Sequence, residues 1–411
     1  MEFFQAISFE KAKESIIHSL RHIRADQEKV DLPQALHRIA ATHVIAQENL
    51  PPFSRSTVDG FAVRSADTFG ASESAPSLFL VAGEVSMGAA ASMTLQPGEA
   101  VIIPTGGMLP PGADAVVMVE HSEQPDDQTA LITKMVAPGE NVVMKGEDLS
   151  IGTTIVAEGQ KITSPHIGAL AAAGMASVNV RKKIFVTILS TGDELVDITA
   201  TAEVGQIRDT NSYALAAMLE AYGCEVRRWG IVKDRYEDFS KALADALSYS
   251  DVVVISGGSS VGTRDYTVQA IKGMNQAQLL FHGLAIKPGK PTIYGIVGSV
   301  PVFGLPGHPV AAMTICELLV KLAIRQLQGH QEASSRHTLV ASLTRNIPSA
   351  PGRDDFFPAK LFKQEGQYRA TPLFGKSGLI HLLTEADGLI HIPSEKSGLY
   401  EGDKVDVLVM T

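Results

Sequence analysis

Residues 181–328 alternate short apolar runs with amphipathic stretches, and this alternation limits the fold more than any other feature of the chain. Strand-like runs over 184–190, 225–232, 251–256, 279–286, 292–297 and 300–305 are interleaved with helical patterns over 212–222, 236–247, 266–272 and 309–327. Repeated βα units imply a doubly wound parallel sheet covered on both faces, and Val252-Val253-Val254-Ile255 is apolar enough for a strand buried on both sides. In such a sheet, ligands bind beyond the carboxyl ends of the strands. Chemistry is therefore expected in the loops that follow them.

The flanking regions read differently. A helix is expected over 8–23, with Ser8 as N-cap and Ile16, Ile17, Leu20 and Ile23 on one face, and a second helical stretch over 35–46 after Pro33. Between about 50 and 160, apolar runs at 78–81, 100–103, 115–119, 130–132 and 154–156 are separated by Gly and Pro and read as strands. Ser164-Pro165 opens a helix that Gly174 ends. Runs at 339–343, 389–392 and 405–409 predict a small C-terminal β-barrel or sandwich.

Charge and cysteine content narrow the function. The 411 residues carry 35 Lys+Arg against 45 Asp+Glu, a net charge of −10. That balance argues against sequence-independent nucleic-acid binding, which needs a basic footprint. An anionic ligand would require locally gathered lysines and backbone N–H groups. Cys224 and Cys316 are too few for a disulfide framework or a cysteine-rich zinc site. No apolar run is long enough to span a bilayer and the N-terminus does not look like a signal peptide, so a cytoplasmic location without membrane partners is expected.

Four loops of the α/β region carry the chemistry. Ser190-Thr191-Gly192-Asp193-Glu194-Leu195 ends the first strand, where Gly192 lets a ligand approach the backbone and Thr191 and Glu194 stand at the sheet edge; the plainer reading is a polar turn. Gly257-Gly258-Ser259-Ser260-Val261-Gly262 precedes Asp265 at a helix start. Its N–H groups suit a phosphate or a pterin, and Asp265 also suits a helix cap. Lys287-Pro288-Gly289-Lys290-Pro291 holds two cations in a stiff loop. At an effective dielectric of ~20, a lysine roughly 4 Å from a unit anion gains about 4 kcal/mol before desolvation. Leu305-Pro306-Gly307-His308-Pro309 opens the last helix.

Glu194, Asp209, Asp234 and Asp265 all fall in loops of this one region. Carboxylates crowded in one cleft need a proton or a cation, and oxygen ligands with few histidines point to Mg²⁺. The residues together describe transfer or hydrolysis at a phosphate-bearing ligand.

Taken in order, these motifs resemble the molybdopterin molybdenumtransferase (MoeA) family, equivalent to the gephyrin E domain. The resemblance also rests on Ser56-Thr57-Val58-Asp59-Gly60-Phe61-Ala62, Pro104-Thr105-Gly106, Pro111-Gly112-Ala113-Asp114, Gly146-Glu147-Asp148, Asp209-Thr210-Asn211 and Pro351-Gly352-Arg353, and it covers essentially the whole chain. It implies a multidomain α/β protein with four domains: a small helical or mixed one (1–48 with 140–180), a β-rich one (49–139), the α/β molybdopterin-binding one (181–329) and a C-terminal β-barrel (330–411). It implies an enzyme of molybdenum-cofactor biosynthesis that takes adenylylated molybdopterin and molybdate and releases AMP with Mg²⁺. It further implies a homodimer in which the β-rich domain of one subunit faces the cleft of the other, with transient contact to the upstream adenylyltransferase. By the same resemblance Glu194, Asp234 and Asp265 are essential acids and Mg²⁺ ligands, and Asp59, Thr105 and Asp148 are functional positions of the facing region. Thr191, Gly192, Gly257, Gly258, Ser260, Lys287, Lys290, Pro306, Pro309, Arg353 and Ser377 are expected to bind substrate.

Several positions depart from the family pattern. His308 stands where Asn is usual, Ala311 where Ser is usual, Val58 where Met is usual, Ser259 where Val is usual, and Val143-Met144 where Arg is common. A carrier that binds the cofactor without turnover, or a transferase tuned to tungstate, is the competing reading.

Overall fold

The computed structural model of the protein describes residues 6–257, 264–330 and 338–410, and the side chains of Arg264 and Asp265 lie outside that description. At its centre is a six-stranded sheet in the spatial order Glu225–Val232, Phe185–Thr191, Val252–Gly257, Val300–Leu305, Ile293–Val297, Ala277–His282. The first four strands are parallel. The last two are antiparallel additions at one edge of the parallel sheet. The cause is a short connection. Only Gly298 and Ser299 separate Ile293–Val297 from Val300–Leu305, enough for a hairpin but not for a crossover.

Apolar clusters cover both faces of this sheet. One joins Val186, Ile188, Val252 and Val254 to the helix Asn211–Ala221, to the last helical segments and to the N-terminal helix Phe9–Leu20, which contributes Phe9, Ala12, Ile16 and Leu20. The other joins Leu189, Val253 and Ile255 to the helices Tyr236–Leu247 and Arg264–Gly273. Ser8 caps the N-terminal helix as its side chain accepts from the Lys11 N–H at 3.3 Å. The final helix runs as Pro309–Ile315, a π-helical turn Cys316–Val320 and Lys321–Gln328. Its buried Lys321 is neutralised by Glu317 at 2.6 Å.

Three further bodies surround the sheet. Gly60–Val63, Ser77–Glu84, Glu99–Ile103, Ala115–Met118, Ser122–Asp126 and Thr129–Ile132 form a six-stranded sheet with cores on both faces. Gln27–Asp31 pairs with Ser177–Arg181 over the helix Ser164–Ala172, sharing a core of Val30, Val156, Ile162, Leu170 and Val180. The segment 35–46 is not the expected helix. A 3-10 turn, Leu32–Ala35, stops at His37, whose φ is +65°, and the apolar Ile39 and Ala40 then satisfy their backbones in β-bridges to Lys161 and Val180. The C-terminal strands Thr338–Leu343, Asp354–Gln364, Gln367–Pro372, Gly388–Ile392 and Lys404–Val409 close into a five-stranded barrel.

The run 279–286, expected as one strand, divides at Gly283. Ala277–His282 stays in the central sheet, and Ile286–Lys287 crosses to the barrel, pairing in parallel with Asp354 and Asp355. The lysine loop is therefore shared by two bodies.

Candidate active site

A cleft of ≈ 1490 Å³ opens where the carboxyl ends of the central strands face the barrel. Its volume exceeds that of a typical drug-sized pocket, so it has room for an extended ligand. The lining joins three strand ends (Thr191-Gly192, Gly257 and Pro306-Gly307-His308) to the lysine loop and to the barrel residues Arg353, Phe357, Lys376 and Ser377.

The acidic wall is built by the first two strands. Thr191, the buried last residue of Phe185–Thr191, donates its hydroxyl to Asp234 Oδ1. Asp234 lies just past Glu225–Val232, so this bond ties neighbouring strand ends together. The Glu194 carboxylate folds back over Gly192, where a Cβ would stand 2.8 Å from Oε2. Glu194 and Asp234 both line the cleft.

The cationic wall comes from the shared strand and the barrel. Lys287 is exposed, with Nζ 5.8 Å from the Phe357 ring centroid. Lys290 is held by its backbone carbonyl, which accepts from the Leu284 N–H at 2.8 Å. Arg353 gives its Nε to the fully buried Asp355 at 2.9 Å, and Asp355 also accepts from Ser349 Oγ at 2.9 Å. Ser377 Oγ stands 2.9 Å from His308 Nδ1. Lys287, Lys290, Lys376 and Arg353 therefore oppose two lining carboxylates in a chain of net charge −10.

Of the expected binding residues, Thr191, Gly192, Gly257, Lys287, Lys290, Pro306, Arg353 and Ser377 line this cleft. Pro309 does not. It occupies the first turn of Pro309–Ile315, where a proline suits helix entry, and Val310 and Ala311 line the cleft instead. Asp209 is likewise not a cleft acid. It is buried and accepts from Ser190 Oγ at 2.7 Å, Ser212 Oγ at 2.7 Å and the Ser212 N–H at 3.1 Å, a carboxylate fully used in joining strand to helix. Gly258, Ser260 and the Asp265 side chain lie outside the described residues. Asp59, Thr105 and Asp148 are not among the lining residues. The Thr105 N–H donates to Asp59 Oδ1 at 2.7 Å, and this backbone bond, followed by one to the Thr105 side chain, holds the Asp59 carboxyl below its ordinary value.

Sequence reasoning missed Lys376, Phe357, Ile207, Leu373 and Leu382, all of which line the cleft. The signal for Lys376 was its place between Gly375 and Ser377 in a Gly-flanked loop. The apolar residues carried none, because only the tertiary packing brings them to the opening.

Among the described residues, no group of three or more His, Cys, Asp or Glu side chains is arranged to hold a metal ion. The donors at the acidic wall are all oxygens, from Glu194 and Asp234. That set fits Mg²⁺, which uses one or two carboxylates and completes its shell with water and substrate phosphates.

A cationic and an acidic wall face each other across a sheet-edge cleft, an arrangement suited to an anionic ligand. Comparison with known proteins specifies the class. Residues 7–174 match the MoeA N-terminal region (domain I and II), 187–326 a probable molybdopterin binding domain, and 340–410 the MoeA C-terminal region (domain IV). A putative molybdopterin biosynthesis protein of Methanocaldococcus jannaschii is 34% identical over 99% of this chain and 96% of its own length. A molybdopterin molybdenumtransferase of Haemophilus influenzae is 33% identical over 92% and 93%. The crystal structure of a molybdopterin biosynthesis MoeA protein from Pyrococcus horikoshii superposes with a TM-score of 0.84 at 36% identity, covering 99% of this chain and all of the other. The chain belongs to the MoeA family of molybdopterin molybdenumtransferases, enzymes of molybdenum-cofactor biosynthesis.

Proposed function

We propose that this transferase places molybdenum from molybdate on the dithiolene of adenylylated molybdopterin and releases AMP in a Mg²⁺-dependent step. The observation that supports this reading is the meeting of four cations and two carboxylates in one large cleft. Molybdate is a dianion, and Lys287, Lys290, Arg353 and Ser377 bind it and set its orientation beside the pterin. Asp355 holds the Arg353 guanidinium, so less entropy is lost when the anion arrives. The strand ends at Thr191, Gly192, Gly257 and Pro306 bind the pterin side, together with Gly258 and Ser260.

Glu194 and Asp234, joined by Asp265, would hold Mg²⁺. When bound, that ion would supply positive charge to the phosphate linkage whose cleavage frees AMP. Thr191 aims Asp234 by donating its hydroxyl to Oδ1.

The working unit in this reading is a homodimer. Asp59, Thr105 and Asp148 of one copy face the cleft of the other, which accounts for their absence from the lining of their own. The four-domain division 1–48 with 140–180, 49–139, 181–329 and 330–411 belongs to the same proposal. So do the cytoplasmic location and a transient contact with the adenylyltransferase that delivers the substrate. No helix among the described residues is long and apolar enough to cross a membrane.

The test is AMP release from adenylylated molybdopterin by the purified protein, with molybdate, tungstate and Mg²⁺ varied separately. Release that needs both molybdate and Mg²⁺ is the expected result. Tight pterin binding without any release would replace the proposal with a carrier role, and release driven only by tungstate would reassign the oxyanion.

A further inference from the structure

His308 and Ser377 meet across the cleft mouth from different bodies of the fold. His308 precedes the helix Pro309–Ile315 of the α/β body, and Ser377 sits in the loop that follows barrel strand Gln367–Pro372. Their side chains are 2.9 Å apart, between Nδ1 and Oγ. A second bond crosses the same gap, as the Val310 N–H donates to the Ser377 carbonyl at 3.1 Å. The Ser377 backbone is thus pinned to the helix entrance. The direction of its hydroxyl proton then follows from the tautomer of His308.

That direction matters because the surrounding lining is cationic. An oxyanion drawn in by Lys287, Lys290, Lys376 and Arg353 gains from a hydroxyl that donates and is repelled by one that offers only lone pairs. If Ser377 donated to His308 Nδ1, its oxygen would present lone pairs to the anion. With the proton on Nδ1, the imidazole donates instead and the Ser377 O–H is released toward the cleft. We propose that His308 is a positioning residue of this transferase, donating from Nδ1–H to Ser377 Oγ so that the Ser377 hydroxyl donates to the tetrahedral oxyanion. The same bond anchors the loop that carries Lys376. His308 therefore sets oxyanion affinity without touching the pterin. The inference rests on the transferase reading above for the identity of the anion.

The experiment compares the wild type with His308→Ala, His308→Asn, Ser377→Ala and the His308→Ala/Ser377→Ala double variant, measuring AMP release and, separately, molybdate binding by equilibrium dialysis. His308→Ala is expected to raise KM for molybdate about tenfold, the worth of one hydrogen bond to an anion, while KM for adenylylated molybdopterin stays within about twofold. Asn keeps a short amide donor near the Nδ1 position, so His308→Asn restores most of the affinity. Ser377→Ala raises KM by a similar factor, and the double variant is no worse than either single one, because both remove the same bond. An unchanged molybdate KM in His308→Ala, an Asn variant as weak as the Ala variant, or multiplicative effects in the double variant would each overturn the assignment. A wild-type protein that neither binds molybdate nor releases AMP would instead overturn the transferase proposal itself. Thermal denaturation of each variant identifies a folding defect, and the Asn variant decides the question if the Ala variant is unfolded.

Discussion

Lys287 lies directly opposite Asp355 in a parallel strand pair that joins the α/β body to the C-terminal barrel. Asp355 is fully buried, and its carboxylate is spent on Arg353 and Ser349 rather than on the lysine facing it in register. One residue thereby places two cations of the cleft, Arg353 through its side chain and Lys287 through the backbone ladder. Asp355→Ala leaves the Arg353 Nε and the Ser349 hydroxyl without their acceptor, at a cost of about 2 kcal/mol. It also frees the guanidinium, so the KM for molybdate should rise by roughly tenfold. Urea unfolding midpoints and steady-state kinetics measure the two effects. A variant with wild-type stability would show that Arg353 is oriented by something else.

Gly257 ends the central strand with φ at +96°, and a Cβ added there would lie 2.1 Å from the Thr191 carbonyl oxygen. Both the backbone conformation and the close approach of two strand ends exclude a side chain. Gly257→Ala should therefore cost at least ~2 kcal/mol and push Thr191 away from Asp234, removing AMP release in whatever protein folds. Calorimetric melting of the variant tests this; an unshifted Tm with full activity would contradict the geometry.

Cys224 and Cys316 are both buried, and burial pushes the Cys224 thiol from 9.0 up to about 12, with Lys321 opposing the shift. The Cys316 thiol is pushed up for the same main reason. Neither should react with a disulfide reagent at pH 8 until the chain is unfolded, since the thiolate is the nucleophile. The sign of the pH effect follows from proton binding. Between about pH 9 and 12 the folded Cys224 keeps its proton while the unfolded thiol loses it, so the unfolded state binds fewer protons and stability falls as pH rises. Below pH 9 this contribution is constant. Reagent titration of native protein and alkaline unfolding curves, with Cys224→Ala as the comparison, check both statements.

A dimer with shared sites predicts complementation. An Asp59→Ala chain keeps an intact cleft and lacks the facing acid, whereas an Asp234→Asn chain has the reverse defect. Each variant alone should release AMP at less than about one-hundredth of the wild-type rate, a loss of roughly 3 kcal/mol or more of transition-state stabilisation. Mixed and re-equilibrated, they should recover up to about a quarter of wild-type activity, because half of the dimers are mixed and each mixed dimer holds one complete site. No recovery in a sample shown by mass to contain mixed dimers would place the Asp59 contribution within its own chain.

Much of the site was legible because its chemistry is local in the chain. Strand ends announce themselves as apolar runs that stop at glycine, as at Thr191-Gly192 and Gly257, while Glu194 and Asp234 stand out as acids in loops that follow strands. The two lysines were legible because prolines bracket them. Asp209 reads in sequence like the other loop acids, and only the serine hydroxyls folded around it show that it is a structural acceptor. Phe357 has no distinguishing neighbours in the chain and Lys376 only its flanking Gly375 and Ser377, so their part in the cleft depends on where the barrel is docked.

The sequence by itself determined the βα alternation, the buried strands and the family, because hydrophobic period and Gly-Pro punctuation act over a few residues. Tertiary structure decided what two-residue connections and long-range pairing control: the antiparallel edge of the central sheet, the break at Gly283 that sends Lys287 to the barrel, and the meeting of His308 with Ser377. The last two join residues tens of positions apart, and no local pattern encodes which distant backbone will satisfy a strand's open hydrogen bonds.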